Sequence, residues 1–186
     1  MSKQHPIVAV TGSSGAGTTT VKQAFEHIFY RDGFNAAIIE GDSFHRYDRA
    51  EMKTAMAAAT EEHRNLSHFG AEANRFDMLE ELFKSYGSTG SGKKRYYIHS
   101  DEEAAELNAR LGTSLHPGQF TPWEEIPENT DLLFYEGLHG LAVTEEHNVA
   151  EHVDLGVGVV PIVNLEWIQK IHRDNLERGY SAEAIV

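Results

Sequence analysis

The chain of 186 residues contains no cysteine. This absence excludes disulfide bonds, thiolate-bound zinc, iron–sulfur clusters and catalytic thiols. Positive charge is scarce as well, because 16 lysines and arginines stand against 29 aspartates and glutamates, which gives a formal net charge of −13 at pH 7. We therefore expect no broad attraction to nucleic acid or to an anionic membrane. An anionic small molecule would need cationic side chains concentrated at one place.

Long hydrophobic runs are also missing. The first apolar run, at residues 7–10, is too short for the core of a signal peptide, and no run approaches the ~18 apolar residues that cross a membrane. Histidines are numerous, but none is three or four residues from another, so no helix would present a zinc-binding pair. We expect a cytoplasmic protein without a zinc site.

Four short runs are apolar on both faces, which is typical of buried parallel strands. They lie at residues 7–10, 36–39, 132–135 and 157–160. The spacing of apolar residues predicts a helix after the first run and further helices near residues 49–59, 72–83 and 165–178, and it predicts a strand at residues 95–99. Together these elements predict one α/β domain over residues 1–186, a doubly wound, mainly parallel sheet with helices on both faces.

The C-terminal end of the sequence predicts a truncated domain. Gly179 closes the last long helix, and Ser181 is a typical N-cap for a new helix from Ala182. A helix that stops at Val186 would have a single turn, which is too short to be stable alone. We therefore expect the domain to be incomplete at its C-terminal end.

A glycine-rich segment follows the first predicted strand and precedes the first predicted helix. Its sequence, Gly12-Ser13-Ser14-Gly15-Ala16-Gly17-Thr18-Thr19, has the G-x-x-x-x-G-K-[ST] spacing of a phosphate-binding loop, with Thr18 in place of the lysine. Backbone N–H groups of such a loop bind ATP phosphates, and the Thr19 hydroxyl is placed to bind Mg²⁺. Together with the parallel sheet, the loop predicts a P-loop NTPase-like fold. The alternative is an ordinary Gly/Ser turn that caps a helix. Because Thr18 carries no charge, a cation must come from another element.

A second near-match to this motif occupies residues 87–94 and contains a lysine. It follows a predicted helix and precedes a predicted strand, so no helix N-terminus would face a phosphate there. We interpret residues 87–92 as a flexible loop that leads into a basic cluster of Lys93, Lys94 and Arg95.

Two acidic residues follow predicted strands, at the edge where ligands of doubly wound sheets bind. Asp42, expected one strand away from the phosphate loop, is the predicted base for phosphoryl transfer to a hydroxyl, with a helix N-cap or turn as the alternative. Glu136 is predicted on the metal side. Both carboxylates and the Thr19 hydroxyl are the predicted Mg²⁺ ligands.

Two groups of cationic side chains are candidates for binding anions. His45, Arg46 and Arg49 follow Asp42 closely, which favours an anionic acceptor over a solvated helix face. Lys170 and Arg173 are three residues apart on the last long helix and therefore share a face. This face could supply the cation that the phosphate loop lacks, with surface salt bridges as the alternative.

These residues resemble the phosphoribulokinase family, specifically its bacterial type. The resemblance rests on the phosphate loop, on residues 40–46, 67–69, 133–140 and 160–174, and most specifically on Glu136-Gly137-Leu138-His139-Gly140 and the stretch from Trp167 to Asp174. It implies ATP-dependent phosphorylation of the C1 hydroxyl of D-ribulose 5-phosphate to ribulose 1,5-bisphosphate, a step of the Calvin cycle. A threonine at the position of Thr18 is usual in the family.

The resemblance also implies roles for single residues. Asp42 would accept the proton of the C1 hydroxyl, Glu136 would assist on the Mg²⁺–ATP side, and Lys170 would contribute charge near the transferred phosphoryl group. The side chains implied to hold ribulose 5-phosphate are His45, Arg49, Lys53, Arg173 and Arg178. Full-length relatives of this type are oligomers that respond to NADH and AMP, which implies an effector site involving Arg31.

Two alternatives stay open from the sequence. A related uridine kinase-like nucleoside or sugar kinase would share Asp42 and the phosphate loop. A truncated chain could instead be a catalytically inactive, nucleotide-binding fragment. Activity with ribulose 5-phosphate, compared with activity with uridine, would separate the two kinases.

Overall fold

The computed structural model describes residues 4–178, except for the side chains of Asp174, Glu177 and Arg178. Along the chain the elements are β1 (Ile7–Gly12), α1 (Thr18–Asp32), β2 (Ala36–Glu40), α2 (Arg49–Glu61), α3 (Phe76–Thr89), β3 (Lys93–Lys94), α4 (Asp101–Leu111), β4 (Glu124–Glu125), β5 (Leu132–Gly137), β6 (Leu155–Val159) and α5 (Val163–Arg178). Short 3₁₀ turns lie at Gly41–Phe44, Ala71–Ala73 and Val149–His152. None of the helices in this part of the chain is long and apolar enough to cross a membrane. The short helix predicted after Ser181 lies outside the described residues.

The central sheet consists of four parallel strands in the order β2-β5-β1-β6. Glu136 of β5 is paired with Val10 of β1 on one side and with Glu40 of β2 on the other. β5 therefore lies between the strand that leads into the phosphate loop and the strand that leads to Asp42. The expectation that Asp42 is one strand away from the loop is wrong, because a strand from much later in the chain inserts between the first two.

Helices cover both faces of this sheet, as predicted. On one face Phe25 and Phe29 of α1 pack against Phe134, with ring centres 5.1 and 5.4 Å apart. On the other face Phe83 of α3 packs against Tyr135 at 5.6 Å. Because side chains alternate across a strand, Phe134 and Tyr135 enter different layers although they are adjacent in sequence. Burial on both sides explains the continuous apolar runs and confirms the α/β prediction.

Helix α2 begins at Arg49 because Asp48 caps its first turn. The Asp48 carboxylate accepts a hydrogen bond from the backbone N–H of Glu51 (2.8 Å), and the Glu51 carboxylate accepts one from the backbone N–H of Asp48 (2.9 Å). This reciprocal pair is a capping box, and loss of such a cap typically costs ~1 kcal/mol. The cap fixes Arg49 at the start of the helix that follows the Gly41–Phe44 turn.

The predicted strand at residues 95–99 is wrong. Within residues 93–125, strand pairing is limited to β3 with β4. Tyr97 and Phe120 form a separate, isolated bridge. Pro122 lies between these two paired regions, and proline lacks the backbone N–H that a continuous ladder needs. Residues 93–125 therefore include an irregular pair of segments rather than a continuous hairpin.

Helix α3 differs from its prediction at both ends. It starts at Phe76 rather than at residue 72, because residues 71–73 form a 3₁₀ turn. It continues to Thr89, so the interpretation of residues 87–92 as a flexible loop is wrong for residues 87–89. The buried hydroxyl of Tyr86, 2.8 Å from the hydroxyl of Thr130, anchors the last turn, and Gly90 ends it with a φ of +72°.

Helix α4 is absent from the sequence prediction. The Ser100 hydroxyl accepts a hydrogen bond from the backbone N–H of Glu103 (3.2 Å) and so caps its start. Gly112 ends it with a φ of +67°. An N-cap serine followed by acidic residues, with a glycine twelve residues later, is the pattern that would have identified this helix.

Candidate active site

The carboxyl ends of β1, β2 and β5 meet at one edge of the sheet. The phosphate loop (residues 12–19) follows β1, the Asp42 turn (residues 41–45) follows β2, and Glu136 lies near the end of β5. The hydroxyl of Tyr135 fills the space beside Gly41, where any side chain would collide with it. This close approach places the Asp42 turn beside the end of β5, so the edge holds the loop and both predicted carboxylates.

The phosphate loop adopts a backbone conformation that depends on its glycines. Gly15 and Gly17 are left-handed, with φ of +93° and +94°, a region that other residues rarely adopt. The backbone N–H of Ala16 donates to the carbonyl of Ser13 (2.9 Å) and closes the turn. α1 begins directly afterwards, so the loop lies at the positive end of a 15-residue helix, the arrangement that binds phosphate.

Helix α5 lies directly against the phosphate loop. A Cβ atom at Gly15 would come within 3.0 Å of the Cβ of Lys170 and within 3.2 Å of the carbonyl oxygen of Glu166. The guanidinium of Arg173 donates from Nη2 to the hydroxyl of Ser14 (3.0 Å). The face that Lys170 and Arg173 share therefore meets the phosphate loop at Ser14 and Gly15.

The ammonium group of Lys170 lies among aromatic rings. Its Nζ atom is 5.2 Å from the ring centre of Trp167 and 5.9 Å from that of Phe69. Aromatic faces attract cations at such distances and favour one placement of a flexible side chain. The segment at residues 67–69, noted in the sequence without a role, thus reaches the α5 side of the site.

Two carboxylates beside the phosphate loop are hydrogen-bonded to side chains of α1. Lys22 of α1 donates to the carboxylate of Glu40 (2.5 Å), and the Thr18 hydroxyl bonds to the Glu136 carboxylate. Burial raises the pKa of Glu136, and the Thr18 hydrogen bond and the charge of Lys22 only partly offset it. Burial opposes the charge on Lys22, but the Glu40 hydrogen bond and nearby carboxylates outweigh it and raise the pKa of the ammonium group.

Lys22 is a site residue that the sequence prediction does not include. It lies one helical turn beyond Thr18 and therefore on the same face of α1. Lys22 could have been found in the sequence as a lysine four residues after Thr18, the threonine that replaces the usual lysine.

Asp42 lies between two histidines. Its Oδ1 atom is 3.3 Å from Nε2 of His45, and its Oδ2 atom is 3.6 Å from Nε2 of His99. Burial opposes protonation of His45, but the Asp42 carboxylate and a hydrogen bond to Asn74 outweigh it and raise the pKa of the imidazole. Half of the Asp42 side chain is exposed. The carboxylate is thus both oriented and accessible, as a proton acceptor must be.

Cationic and aromatic side chains surround Asp42. The Arg49 side chain bonds to Tyr97, whose ring centre lies 5.0 Å from that of His99 and 6.3 Å from that of His45. Lys53 lies one turn beyond Arg49 on the same face of α2 and is exposed. The structure thus brings Asp42, His45 and Arg49 together, and Lys53 follows on the same helix.

Tyr97 and His99 are absent from the sequence prediction of the site. They are two residues apart in an extended segment and therefore point to the same side of it. In the sequence, the only indication of a shared role for Tyr97 and His99 is their alternate spacing in the predicted strand. That spacing does not show which element the two side chains would contact.

Arg95, the last residue of the predicted basic cluster, is partly buried against the Asp42 turn. Its guanidinium donates from Nε to the carbonyl of Ser43 and from Nη2 to the carbonyl of His45, each at 2.8 Å. It also lies over the rings of Phe120 and Trp123, at 3.6 and 4.7 Å from their centres. Burial lowers the pKa of Arg95 to about 10. Arg95 therefore clamps the backbone of the Asp42 turn, whereas the neighbouring Lys93 is exposed.

Thr19, Glu136 and Asp42 supply oxygen ligands of the kind that Mg²⁺ prefers. The charge of Asp42 contributes to the raised pKa of Glu136, which places the two carboxylates in the same electrostatic environment. Within residues 4–178, no three His, Asp or Glu side chains converge into a metal cage. This donor set fits an ion that is bound largely by nucleotide phosphates and water.

Two other predicted residues lie apart from these contacts. Arg31 is exposed in the last turn of α1, where its Nε lies 2.8 Å from the carboxylate of Asp32. The helix separates it from the phosphate loop by about 20 Å, at 1.5 Å per residue. Arg178 ends α5, and its side chain lies outside the described part of the chain.

Known proteins resemble this chain over its whole length. The plasmid phosphoribulokinase of Cupriavidus necator is 58% identical over 186 residues, which are 100% of this chain and 62% of that protein. The phosphoribulokinase of Nitrobacter vulgaris is 55% identical over 189 residues, with the same coverage. Among solved structures, phosphoribulokinase from Rhodobacter spheroides matches with a TM-score of 0.82 and 49% identity, covering 99% of this chain and 61% of that one.

The chain thus spans about three fifths of the length of these relatives. A family profile described as Phosphoribulokinase / Uridine kinase matches residues 7–186, from the first strand through α5. That span includes the phosphate loop, the Asp42 turn and Glu136. On this match, the chain belongs to the Phosphoribulokinase / Uridine kinase family.

Proposed function

We propose that this chain carries out ATP-dependent phosphorylation of the C1 hydroxyl of D-ribulose 5-phosphate, giving ribulose 1,5-bisphosphate. The observation that carries the proposal is the Asp42 carboxylate, oriented by His45 and His99 at the edge where the phosphate loop ends β1. The relatives named phosphoribulokinase, at 55–58% identity, support ribulose 5-phosphate as the acceptor rather than a nucleoside.

Asp42 acts as the general base in this proposal. It accepts the proton of the C1 hydroxyl as the oxygen of that hydroxyl attacks the γ-phosphorus of ATP, while the bond from that phosphorus to the β,γ-bridging oxygen breaks and ADP leaves. Positioned bases of this kind contribute about 10²–10⁴-fold to a rate. The contacts of His45 and His99 with its two oxygens hold the carboxylate in one orientation, and its exposed half leaves room for the acceptor.

The phosphate loop and α5 hold the nucleotide. Backbone N–H groups of residues 12–19 bind the phosphates at the N-terminus of α1, and Lys170 places its charge beside the phosphoryl group that is transferred. Thr19, Glu136 and Asp42 would hold Mg²⁺, which would neutralise charge on the β- and γ-phosphates. The packing of α5 on the loop, where a Cβ at Gly15 would come within 3.0 Å of the Cβ of Lys170, supports the assignment of Lys170.

A second set of side chains holds the phosphate of ribulose 5-phosphate. His45 lies in the Asp42 turn, Arg49 and Lys53 lie on α2, and Arg173 lies at the phosphate loop; Arg178 completes the proposed set. Cations from α2 and α5 would thus neutralise the acceptor in a chain whose net charge is −13. Arg31, exposed at the far end of α1, is the proposed contact for NADH or AMP.

Release of ADP tests the proposal. The 186-residue chain is incubated with Mg²⁺-ATP and either ribulose 5-phosphate, uridine or no acceptor, and ADP is measured with a coupled assay. We expect turnover that depends on ribulose 5-phosphate. Turnover with uridine instead would identify a nucleoside kinase. A folded chain that binds ATP and releases no ADP with either acceptor would identify a nucleotide-binding polypeptide without kinase activity.

A further inference from the structure

A buried asparagine lies behind the Asp42 turn. Asn74 is 2% exposed and follows the 3₁₀ turn Ala71–Ala73. Its side-chain amide nitrogen donates to the carbonyl of His68 (2.8 Å) and to the carbonyl of Gly70 (2.7 Å). Its oxygen, Oδ1, lies 2.8 Å from Nδ1 of His45. One polar side chain therefore joins the segment at residues 68–70 to a histidine that contacts Asp42.

The three hydrogen bonds of the Asn74 side chain allow only one assignment of donors and acceptors. An asparagine amide has two N–H donors, and both are used by backbone carbonyls, which can only accept. The oxygen has no hydrogen to give, so Nδ1 of His45 must be the donor in the third bond. Rotating the amide by 180° would place its oxygen against two carbonyl oxygens. The network therefore sets the direction of the bond to His45.

The backbone around this contact is held on both sides. Asn74 and His45 form an isolated antiparallel bridge. The backbone N–H of Arg46 donates to the carbonyl of Ala73, and that of Arg75 donates to the carbonyl of Phe44, each at 2.8 Å. The asparagine and the Asp42 turn thus form one unit, which leaves the imidazole of His45 little freedom to turn.

With Nδ1 committed to Asn74, only Nε2 of His45 faces the site. It lies 3.3 Å from Oδ1 of Asp42. The rings of His68 and Tyr97 flank the imidazole, each with its centre 6.3 Å away. The orientation of the proposed base thus depends on a residue that is itself buried away from the acceptor.

We propose that Asn74 is a positioning residue, which fixes the ring of His45 so that Nε2 is presented to Asp42 and to the acceptor. This inference rests on the proposed function of Asp42 and His45. It also assigns a role to the segment at residues 68–70, which holds Asn74 in place. Its two carbonyls hold the amide of Asn74, and the amide holds the imidazole.

Nuclear magnetic resonance tests the inference without any need for activity. In the 186-residue chain we expect a slowly exchanging proton on Nδ1 of His45, assigned through its coupling to the ring nitrogen. Asn74→Leu, which is close in size, should abolish that signal. Asn108→Leu is the matched control, because Asn108 also makes three side-chain hydrogen bonds, all within residues 108–115. Loss of the Nδ1 proton in the control, or its persistence in Asn74→Leu, would overturn the proposal.

A double-mutant cycle tests the effect on function. Asn74→Leu should lower kcat/KM for ribulose 5-phosphate by roughly 10–100-fold, the usual cost of losing a group that orients a functional side chain. In the His45→Ala background the same substitution should change kcat/KM by less than about threefold, because Asn74 acts through His45. Equal effects in both backgrounds would overturn the proposal.

A third variant separates positioning from stability. Asn74→Asp keeps an oxygen that accepts from Nδ1 of His45 but loses both donors to the backbone carbonyls. We expect the melting temperature of Asn74→Asp to be no higher than that of Asn74→Leu. Asn74→Asp should nevertheless keep the proton on Nδ1 of His45 and be at least tenfold more active than Asn74→Leu. Activity that simply follows melting temperature across the two variants would indicate a merely structural asparagine. If the wild-type chain has no kinase activity, the resonance of His45 still decides the question of position.

Discussion

The Arg173 guanidinium and the Ser14 hydroxyl are joined by a hydrogen bond of 3.0 Å, across the junction of α5 and the phosphate loop. Lys170 packs on Gly15 of the same loop, one turn earlier in the helix. A helix from the last quarter of the chain thus rests on a loop from its first twenty residues. The loop lacks the usual lysine, and this helix brings two cations to it.

The packing of α5 on the loop depends on the absence of a side chain at Gly15. Gly15→Ala would place a methyl group 3.0 Å from the Cβ of Lys170 in a backbone of φ +93°, so α5 must shift. A left-handed residue other than glycine costs about 1–2 kcal/mol, and displacement of the lysine adds to it. We expect ATP affinity, measured by calorimetry, to fall at least about tenfold.

Gly112→Ala is the control for that substitution. Gly112 has a φ of +67°, and no atom lies near its missing Cβ. Gly112→Ala should therefore lower stability through the unfavourable backbone conformation and leave ATP affinity unchanged. Equal losses of ATP affinity in the two variants would mean that contact between α5 and the loop is unimportant for nucleotide binding.

Lys170 is the predicted source of charge beside the transferred phosphoryl group. Lys170→Met keeps the length of the side chain and removes the charge. We expect kcat to fall by roughly 10²-fold or more, with a smaller change in ATP affinity, because the charge matters most in the transition state. Lys84→Met, on an exposed position of α3, controls for loss of a positive charge. An unchanged kcat would mean that the cation comes from another residue.

The clamp that Arg95 places on the Asp42 turn predicts a loss of both stability and turnover. Arg95→Lys keeps the charge but cannot reach the carbonyls of Ser43 and His45 with the same fork of donors. We expect the free energy of unfolding to fall by about 2 kcal/mol and kcat to fall by more than ATP affinity. Urea titration and calorimetry measure these quantities.

Lys93→Met is the matched control for Arg95. Lys93 forms an exposed ion pair with Glu125 at 3.4 Å, so its removal should change stability by less than about 1 kcal/mol. If both substitutions had the same effect, residues 93 and 95 would belong to one surface cluster after all.

His139 predicts a specific dependence of stability on pH. Burial, with a smaller contribution from the charge of His45, lowers the pKa of His139 to about 4, against an ordinary value of 6.5. Between these values the unfolded chain binds a proton that the folded chain does not. The contribution of His139 to stability is therefore complete above pH 6.5 and is lost as the pH falls toward 4.

Urea unfolding between pH 4.5 and 7.5 measures this effect. His139→Gln should reduce the slope of the unfolding free energy against pH in that window, and His116→Gln, at an exposed histidine, serves as its control. Identical slopes in wild type and His139→Gln would contradict the lowered pKa.

The phosphate loop and both strand-end carboxylates could be predicted because their signs are local. A glycine spacing between an apolar run and a helical pattern involves fewer than thirty residues, and the loop forms where that pattern places it. The order of the strands could not be predicted in this way. β5 reaches its position between β1 and β2 by pairing with residues about one hundred positions earlier in the chain, which no local pattern encodes.

The environment of Asp42 was the least predictable part of the site. Arg95, Tyr97 and His99 alternate along a segment that is irregular in the structure, and their roles follow from where that segment folds. Arg95 sits beside two lysines, so its sequence neighbours indicate a surface cluster. Its aromatic partners, Phe120 and Trp123, lie more than twenty residues away and decide the outcome instead.

The measurement that tests the central claim most directly is ADP release from Mg²⁺-ATP by the wild-type chain and by Asp42→Asn, with and without ribulose 5-phosphate. The substitution keeps the size of the side chain and removes the base. We expect wild-type turnover that requires ribulose 5-phosphate, a loss of about 10²–10⁴-fold in Asp42→Asn, and ATP affinity within about twofold of wild type. Turnover that survives in Asp42→Asn, or a loss of ATP binding as large as the loss of turnover, would contradict the assignment of Asp42 as the base.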